Sequence, residues 1–375
     1  MSERGSIYRF VKPEEQKSKH PLSFLNKDYC SLTKWKNEAR EKISELLHYS
    51  PEKCALDPET VEIIEMGEYT QEKVYFSSSP EIRIPAYVLI PKKTEFPAPG
   101  VVALHDHGGM YYWGKDKLVA TEKENPLLRE FRKKHYSGES VAIGLVRRGY
   151  VVVVIDAFYF GERRLELDFT SKECAVQFNN LEKGSSEWIK LSNDIAREKE
   201  NLVAKNIFLT GLTWPGILFW DDMRTVDYLI SRSEVDPERI GCIGLSIGGY
   251  RAAHLAGLDS RIKVSSVIGW MCTYGTLLGN YLENHTWMIY IPGLYKYLDL
   301  PDVASLTAPN ALLCINGSQD RLFPLQGVKK AYERIRGVYS KIGAHEKFKG
   351  MIFDAPHEFN ILMQKVAFEW IDKWI

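Results

Sequence analysis

Apolar positions change their spacing along the chain, and each change predicts a different kind of element. Residues 1–30 are polar and irregular. Leu32, Trp35, Ala39, Ile43 and Leu46 or Leu47 then recur at helical spacing behind Ser31, an N-cap residue, and Pro51 closes the segment. This predicts an N-terminal helical arm over residues 1–60, lying on a main domain of residues 61–375. The main domain opens with β-rich runs at 61–66, 73–76 and 82–90, and alternation in the last predicts strands with one wet face. Further on the runs become continuously apolar, at 100–104, 150–155, 240–245, 264–268, 311–315 and 351–353, as suits strands buried on both faces.

Helical periodicity separates these runs, at 141–148, 220–231, 248–255, 326–339 and 359–374. In the last of these Leu362, Val366, Trp370 and Trp374 form an apolar stripe expected to dock on a sheet. Strand and helix in alternation predict an α/β fold, with a mostly parallel twisted sheet and helices on both faces. About sixty residues lie between the strand ending at Asp156 and the helix expected near Trp220, more than a crossover requires. Residues 161–216 are therefore expected to be a helical insertion over the C-terminal edge of the sheet, a candidate cap.

Composition narrows the function. The 375 residues are 45% hydrophobic and 26% charged, which is material for a packed core and not for disorder. Lys plus Arg, 49, balance Asp plus Glu, 49, so bulk positive charge does not point to nucleic acid. No uninterrupted apolar stretch reaches membrane-spanning length, and the start Met1-Ser2-Glu3-Arg4 lacks a secretory pattern. Cys30, Cys54, Cys174, Cys242, Cys272 and Cys314 show no paired spacing, so neither a disulfide framework nor a zinc site is indicated. The expectation is a soluble cytoplasmic protein with free thiols, binding neither membrane nor nucleic acid. Its oligomeric state stays open.

The sharpest chemical signal is Gly244-Leu245-Ser246-Ile247-Gly248-Gly249, between an apolar strand and a small-residue helix. A serine there sits on a strained strand-to-helix turn that the flanking glycines let form, with its hydroxyl presented at the sheet edge. The hydroxyl needs a base to take its proton, and the base needs an orienting acid. In this architecture acid and histidine follow in chain order, each beyond a later strand. Asp320 and His357 occupy those places, with Asp354 as the rival acid. The oxyanion donors are expected to be the Ile247 amide and a main-chain amide of His107 or Gly108, in His105-Asp106-His107-Gly108-Gly109.

His105 and His107 point to opposite faces of an extended strand with no Cys or Glu nearby, so no metal or other cofactor is expected, and His105 reads as a buried strut. Asp156 ends a strand and is expected to organise the following loop through Arg163 or Arg164. Trp113, Trp214 and Trp270 are candidates to line a substrate pocket.

These motifs, with Asp156-Ala157-Phe158, Gly161-Glu162-Arg163 and Val235-Asp236-Pro237-Glu238-Arg239-Ile240, resemble the α/β-hydrolase superfamily over residues 60–375. The resemblance is to its acetyl xylan esterase and dienelactone-hydrolase-like group. It implies an α/β-hydrolase fold and a carboxylesterase or acetyl esterase-type serine hydrolase, acting on a small-molecule ester such as an acetylated sugar. Two departures stand out: Asp106 and His107 replace a His-Gly-aromatic pattern, and Ser246 stands where dienelactone hydrolases have cysteine. The rival readings are a serine peptidase of prolyl-oligopeptidase type and a non-enzymatic hydrolase-like binding protein. The former has little room here for a substrate-filtering propeller.

Overall fold

The computed structural model describes residues 5–26, 29–121, 124–166, 176 and 178–375. Residues 167–175 and 177 of the expected insertion, and Cys174 with them, lie outside the described residues.

The strands are β1 (Glu59–Glu65), β2 (Tyr69–Ser79), β3 (Ile82–Pro91), β4 (Ala98–Leu104), β5 (Val151–Ile155), β6 (Val235–Leu245), β7 (Ile262–Ile268), β8 (Ala311–Gly317) and β9 (Phe348–Phe353). They form one sheet in the order β1-β2-β3-β5-β4-β6-β7-β8-β9. The first three are antiparallel, and β5 through β9 run parallel. β5 shows why continuous apolar runs form the middle. Its alternate residues Val151, Val153 and Ile155 enter the core on one face, while Val152 and Val154 enter the core on the other. This is an α/β fold of the α/β-hydrolase type.

The strand expected to have a wet face differs. In β3, Ile84, Ala86 and Val88 pack on one side and Leu89 on the other, because helices cover both faces there. The exposed strand is β1, whose pairing is to β2.

Helices lie on both faces of the sheet. Leu32–Leu47, capped by Ser31, buries Trp35, Ala39, Ile43 and Leu47 in the same core as the sheet, and Leu47 rather than Leu46 takes the last inward place. The terminal helix Ile361–Trp374 buries Met363, Ala367, Phe368, Trp370 and Ile371, while Leu362 is 63% exposed. Of the stripe expected from Leu362, Val366, Trp370 and Trp374, only Leu362 is corrected, since Trp370 is buried and Val366 and Trp374 pack half-buried against the same core. A strict four-residue step overshoots a full turn by about 40°, so it spirals off the docking face. The helix expected near Trp220 begins earlier, at Trp214, where the Thr213 side chain caps the Gly216 amide.

Among the described residues no single helix is long and apolar enough to cross a membrane. The parallel strands β4, β6, β7, β8 and β9 end on one edge, and the loops leaving that edge build the site.

Candidate active site

At the end of β6 the backbone turns through Ser246 with φ 59° and ψ −123° and enters the helix Ile247–Leu258. This is a strained conformation for a residue with a Cβ, and the Ser246 N–H is held by the Ile268 carbonyl at 2.9 Å. Gly248 makes the turn sterically feasible, since a Cβ there would stand 2.1 Å from the Leu104 carbonyl oxygen. The first intrahelical bond runs from Tyr250 N–H to Ser246 O, at 2.9 Å, so the Ile247 amide belongs to the open first turn.

The loop after β8 carries Asp320 and the loop after β9 carries His357. His357 Nδ1 lies 2.6 Å from Asp320 Oδ2, while Asp320 Oδ1 accepts the Leu322 N–H at 2.8 Å. Asp320 is buried, and His357 Nε2 has no hydrogen-bond partner among the described residues. Asp354 instead accepts from Ser318 and Gln319 at 3.1 and 2.9 Å, tying the two loops together on the surface. The loop bearing His357 is also braced by Phe359 N–H on the His135 carbonyl, at 2.7 Å.

Ser246, Ile247, His357, His107, Gly108 and Trp270 all line one cavity of about 570 Å³. The structure therefore gathers the sequence-predicted hydroxyl, imidazole and amide-bearing residues around one space, with Asp320 behind the imidazole. Two of the three tryptophans are corrected. Trp214 is wholly buried at the start of its helix, with Tyr159 and Phe158 edge-on at 5.3 and 6.0 Å. Trp113 packs with Leu128, Trp188 and Ile189 in a separate small cluster. Trp214 is taken up by the main core and Trp113 by this satellite cluster, and neither lines the cavity.

His105 is fully buried, with Nδ1 on the Asp106 carbonyl at 2.8 Å and Nε2 accepting the Ala157 N–H at 3.1 Å. Burial holds its pKa well below the ordinary range, so it is a neutral strut. Among the described residues no group of three or more His, Cys, Asp or Glu is placed to hold a metal ion. Asp156 organises its loop, but its carboxylate partners are Lys115 Nζ, at 2.6 Å, and the Lys115 and Glu162 amides, at 2.7 and 3.0 Å. Arg163 reaches the Asp156 carbonyl instead, at 3.1 Å.

Several cavity residues carried no motif. Arg197, Glu200 and Asn201 come from the helix Ser186–Leu209, and Glu283, Asn284, His285, Thr286 and Trp287 from the stretch between β7 and β8. Beside the cavity, the buried Lys117 donates to the Asp106 and His107 carbonyls at 2.8 and 2.9 Å, and burial pushes its ammonium down to about 8. Glu200 left one usable signal: it shares the buried face of its helix with Ala196, Ala204 and Ile207, where a carboxylate requires partners.

A strained serine on a strand-to-helix turn, at the C-terminal edge of a mostly parallel sheet, defines the class as α/β-hydrolase. The chain belongs to the Abhydrolase family, whose model matches residues 1–188. A model of the Prolyl oligopeptidase family matches residues 212–353. The chain is 30% identical over 339 residues to "Putative hydrolase YtaP" of Bacillus subtilis (strain 168), covering 90% of this chain and 99% of that protein. Among solved structures, it is similar in fold to a "putative acetyl xylan esterase" from Bacteroides fragilis NCTC 9343. The TM-score is 0.69 at 18% identity, over 93% of this chain and 82% of that one. A glucuronoyl esterase from Solibacter usitatus superposes with a TM-score of 0.60 at 13% identity, over 91% and 93% of the two chains.

Proposed function

We propose that this chain is a serine carboxylic ester hydrolase for small esters, acetylated sugars among them, working through Ser246, His357 and Asp320. The observation that carries this reading is the 2.6 Å bond from Asp320 to His357 Nδ1, with Nε2 left unpartnered beside a cavity that Ser246 also lines. Ser246 Oγ attacks the ester carbonyl while His357 Nε2 takes its proton, and Asp320 orients the imidazole and stabilises its charge. The tetrahedral oxyanion is held by the Ile247 amide and an amide of His107 or Gly108. His357 then returns the proton to the departing alcohol, and a water that it activates cleaves the acyl-enzyme.

The sugar part of the reading is supported by the cavity's lining. Asn201, Asn284 and Arg197 offer hydrogen bonds, and Trp270 and Trp287 add aromatic surface. That mixture suits a polyhydroxylated alcohol better than a long acyl chain. The names of the esterases with the same fold point the same way.

Two measurements test the proposal. A phosphonate ester probe should label Ser246, as read by peptide mass spectrometry, and a chromogenic acetate ester should be hydrolysed. The match to the Prolyl oligopeptidase family favours one second reading, peptidase activity. Turnover of a prolyl-amide substrate without turnover of acetate esters would select it and reject the esterase.

A further inference from the structure

We propose that Glu200 is a positioning residue of this site, acting through His107 to hold the oxyanion loop in its working geometry; the proposal rests on the esterase reading above. Glu200 projects from the helix Ser186–Leu209 and touches none of the proposed reacting atoms. Its carboxylate is buried and filled by four donors from two other parts of the chain. Oε2 accepts from Tyr111 OH at 2.6 Å and His107 Nε2 at 3.3 Å, both in the stretch after β4. Oε1 accepts from Thr286 Oγ1 at 2.6 Å and the Trp287 N–H at 2.8 Å, both between β7 and β8.

The link to the oxyanion loop runs through the imidazole. His107 Nδ1 accepts the Gly109 N–H at 3.0 Å, which requires Nδ1 to be unprotonated. The ring proton is then on Nε2, and a carboxylate is the partner that favours it there. Glu200 thus selects the tautomer that closes the His107–Gly109 turn. Within that turn Gly108 has φ 53°, and a Cβ on it would stand 2.4 Å from Phe131 Cζ and from Asp106 Oδ2. The rings of Tyr111 and Phe160 stand edge-on to the imidazole at 4.9 and 5.3 Å and leave it little freedom to swing.

Lys117 completes the clamp from the main-chain side. It draws the carbonyls of Asp106 and His107 toward itself. In a trans peptide the following N–H points the opposite way, so the amides of His107 and Gly108 are turned away from Lys117. These are the candidate oxyanion donors. Their direction is set by Lys117 and the turn is locked by Glu200.

Glu200→Gln tests this closely. A Gln amide can still accept from Thr286 and Trp287 through its oxygen, but its NH₂ then faces His107 Nε2. The imidazole must shift its proton to Nδ1, and the bond to the Gly109 N–H is lost. For a chromogenic acetate ester, the expected result is a fall in kcat of about 10²-fold, the size of a displaced oxyanion donor, with KM little changed. His107→Asn, whose side-chain oxygen can accept from Gly109 without a tautomer choice, should make the Glu200→Gln effect far smaller in the double variant.

Independent multiplicative effects of the two substitutions would overturn the proposal, as would a kcat equal to that of the parent protein. The ¹⁵N chemical shifts of the His107 ring give a readout independent of turnover and of whether the variant folds. The expected parent signature is Nε2–H, and Nδ1–H in the parent protein would overturn the proposal. Full esterase activity in Ser246→Ala would instead break the underlying reading, while the ¹⁵N signature would still report on the Glu200–His107 contact.

Discussion

The cavity has a floor and a rim, and they are built by different physics. The floor comprises Leu245, Ser246, Ile247 and Trp270, all buried, at the end of β6, the turn and helix start that follow it, and just beyond β7. Main-chain bonds hold it: Ser246 N–H to Ile268 O at 2.9 Å, Gly269 N–H to Ile315 O at 2.7 Å and Ser318 N–H to Phe353 O at 2.8 Å. The rim comprises Arg197, Asn201, Glu283, Asn284 and Trp287, all exposed. It is joined to the loop after β4 by the carboxylate of Glu200, which binds His107 and Tyr111 on one side and Thr286 and Trp287 on the other. A floor built from backbone can hold reacting groups in strained geometry, because the whole sheet would have to move to release them. A rim built from side chains can differ between relatives while the floor stays the same.

The largest effect that sharpens this contrast belongs to the floor. Ser246→Ala should lower acetate-ester turnover by about 10⁶-fold while a thermal melt shows the fold intact; a rate near that of the parent would remove Ser246 from the chemistry. Next, Asp320→Asn should cost about 10⁴-fold in kcat, whereas Asp354→Asn should leave the rate near the parent value. The reverse order, in the same assay, would transfer the role of the acid. Gly248→Ala should lower stability by about 3 kcal/mol or more, measured by urea unfolding, since the new methyl would press on a sheet carbonyl that cannot yield.

The smallest effect tests the rim's bolt by pH. Burial alone would raise the Glu200 carboxyl, but the hydrogen bond and charge of His107, with hydrogen bonds from Thr286 and Tyr111, outweigh it and hold the pKa at about 2, against an ordinary 4.5. A carboxylate held low stabilises the fold fully above its unfolded value, and that share is lost as pH falls through the folded one. Glu200→Gln should therefore flatten the acid limb of stability between about pH 4.5 and pH 2 relative to the parent protein. An unchanged acid limb would show that Glu200 is not bound as described.

Much of the fold and floor was legible beforehand for the same reason that makes them rigid. A strand buried on both faces is mostly apolar, so the buried stretches of β4 through β8 could be read from their runs. A strained serine turn must be flanked by residues without a Cβ, so Gly244 and Gly248 advertised Ser246. Asp320 and His357 needed only a later strand before each. The errors fall where one apolar residue resembles another. Trp214 and Trp113 had the composition of a pocket lining, but packing put them in the core and in a satellite cluster, and helical drift carried Leu362 into water.

By itself, then, the order of residues determined the sheet, the strained turn and the identities of the nucleophile, base and acid candidates, because each depends on local patterning or on position after a strand. Tertiary structure alone decided which tryptophans line the cavity, how Asp320 meets the imidazole while Asp354 ties the loops, and that Glu200 and Lys117 grip the loop of His107. The physical reason is range. A turn or a buried strand is specified by its nearest neighbours along the chain. A hydrogen bond between Glu200 and His107 joins residues 93 positions apart and exists only once the folded sheet has brought them together.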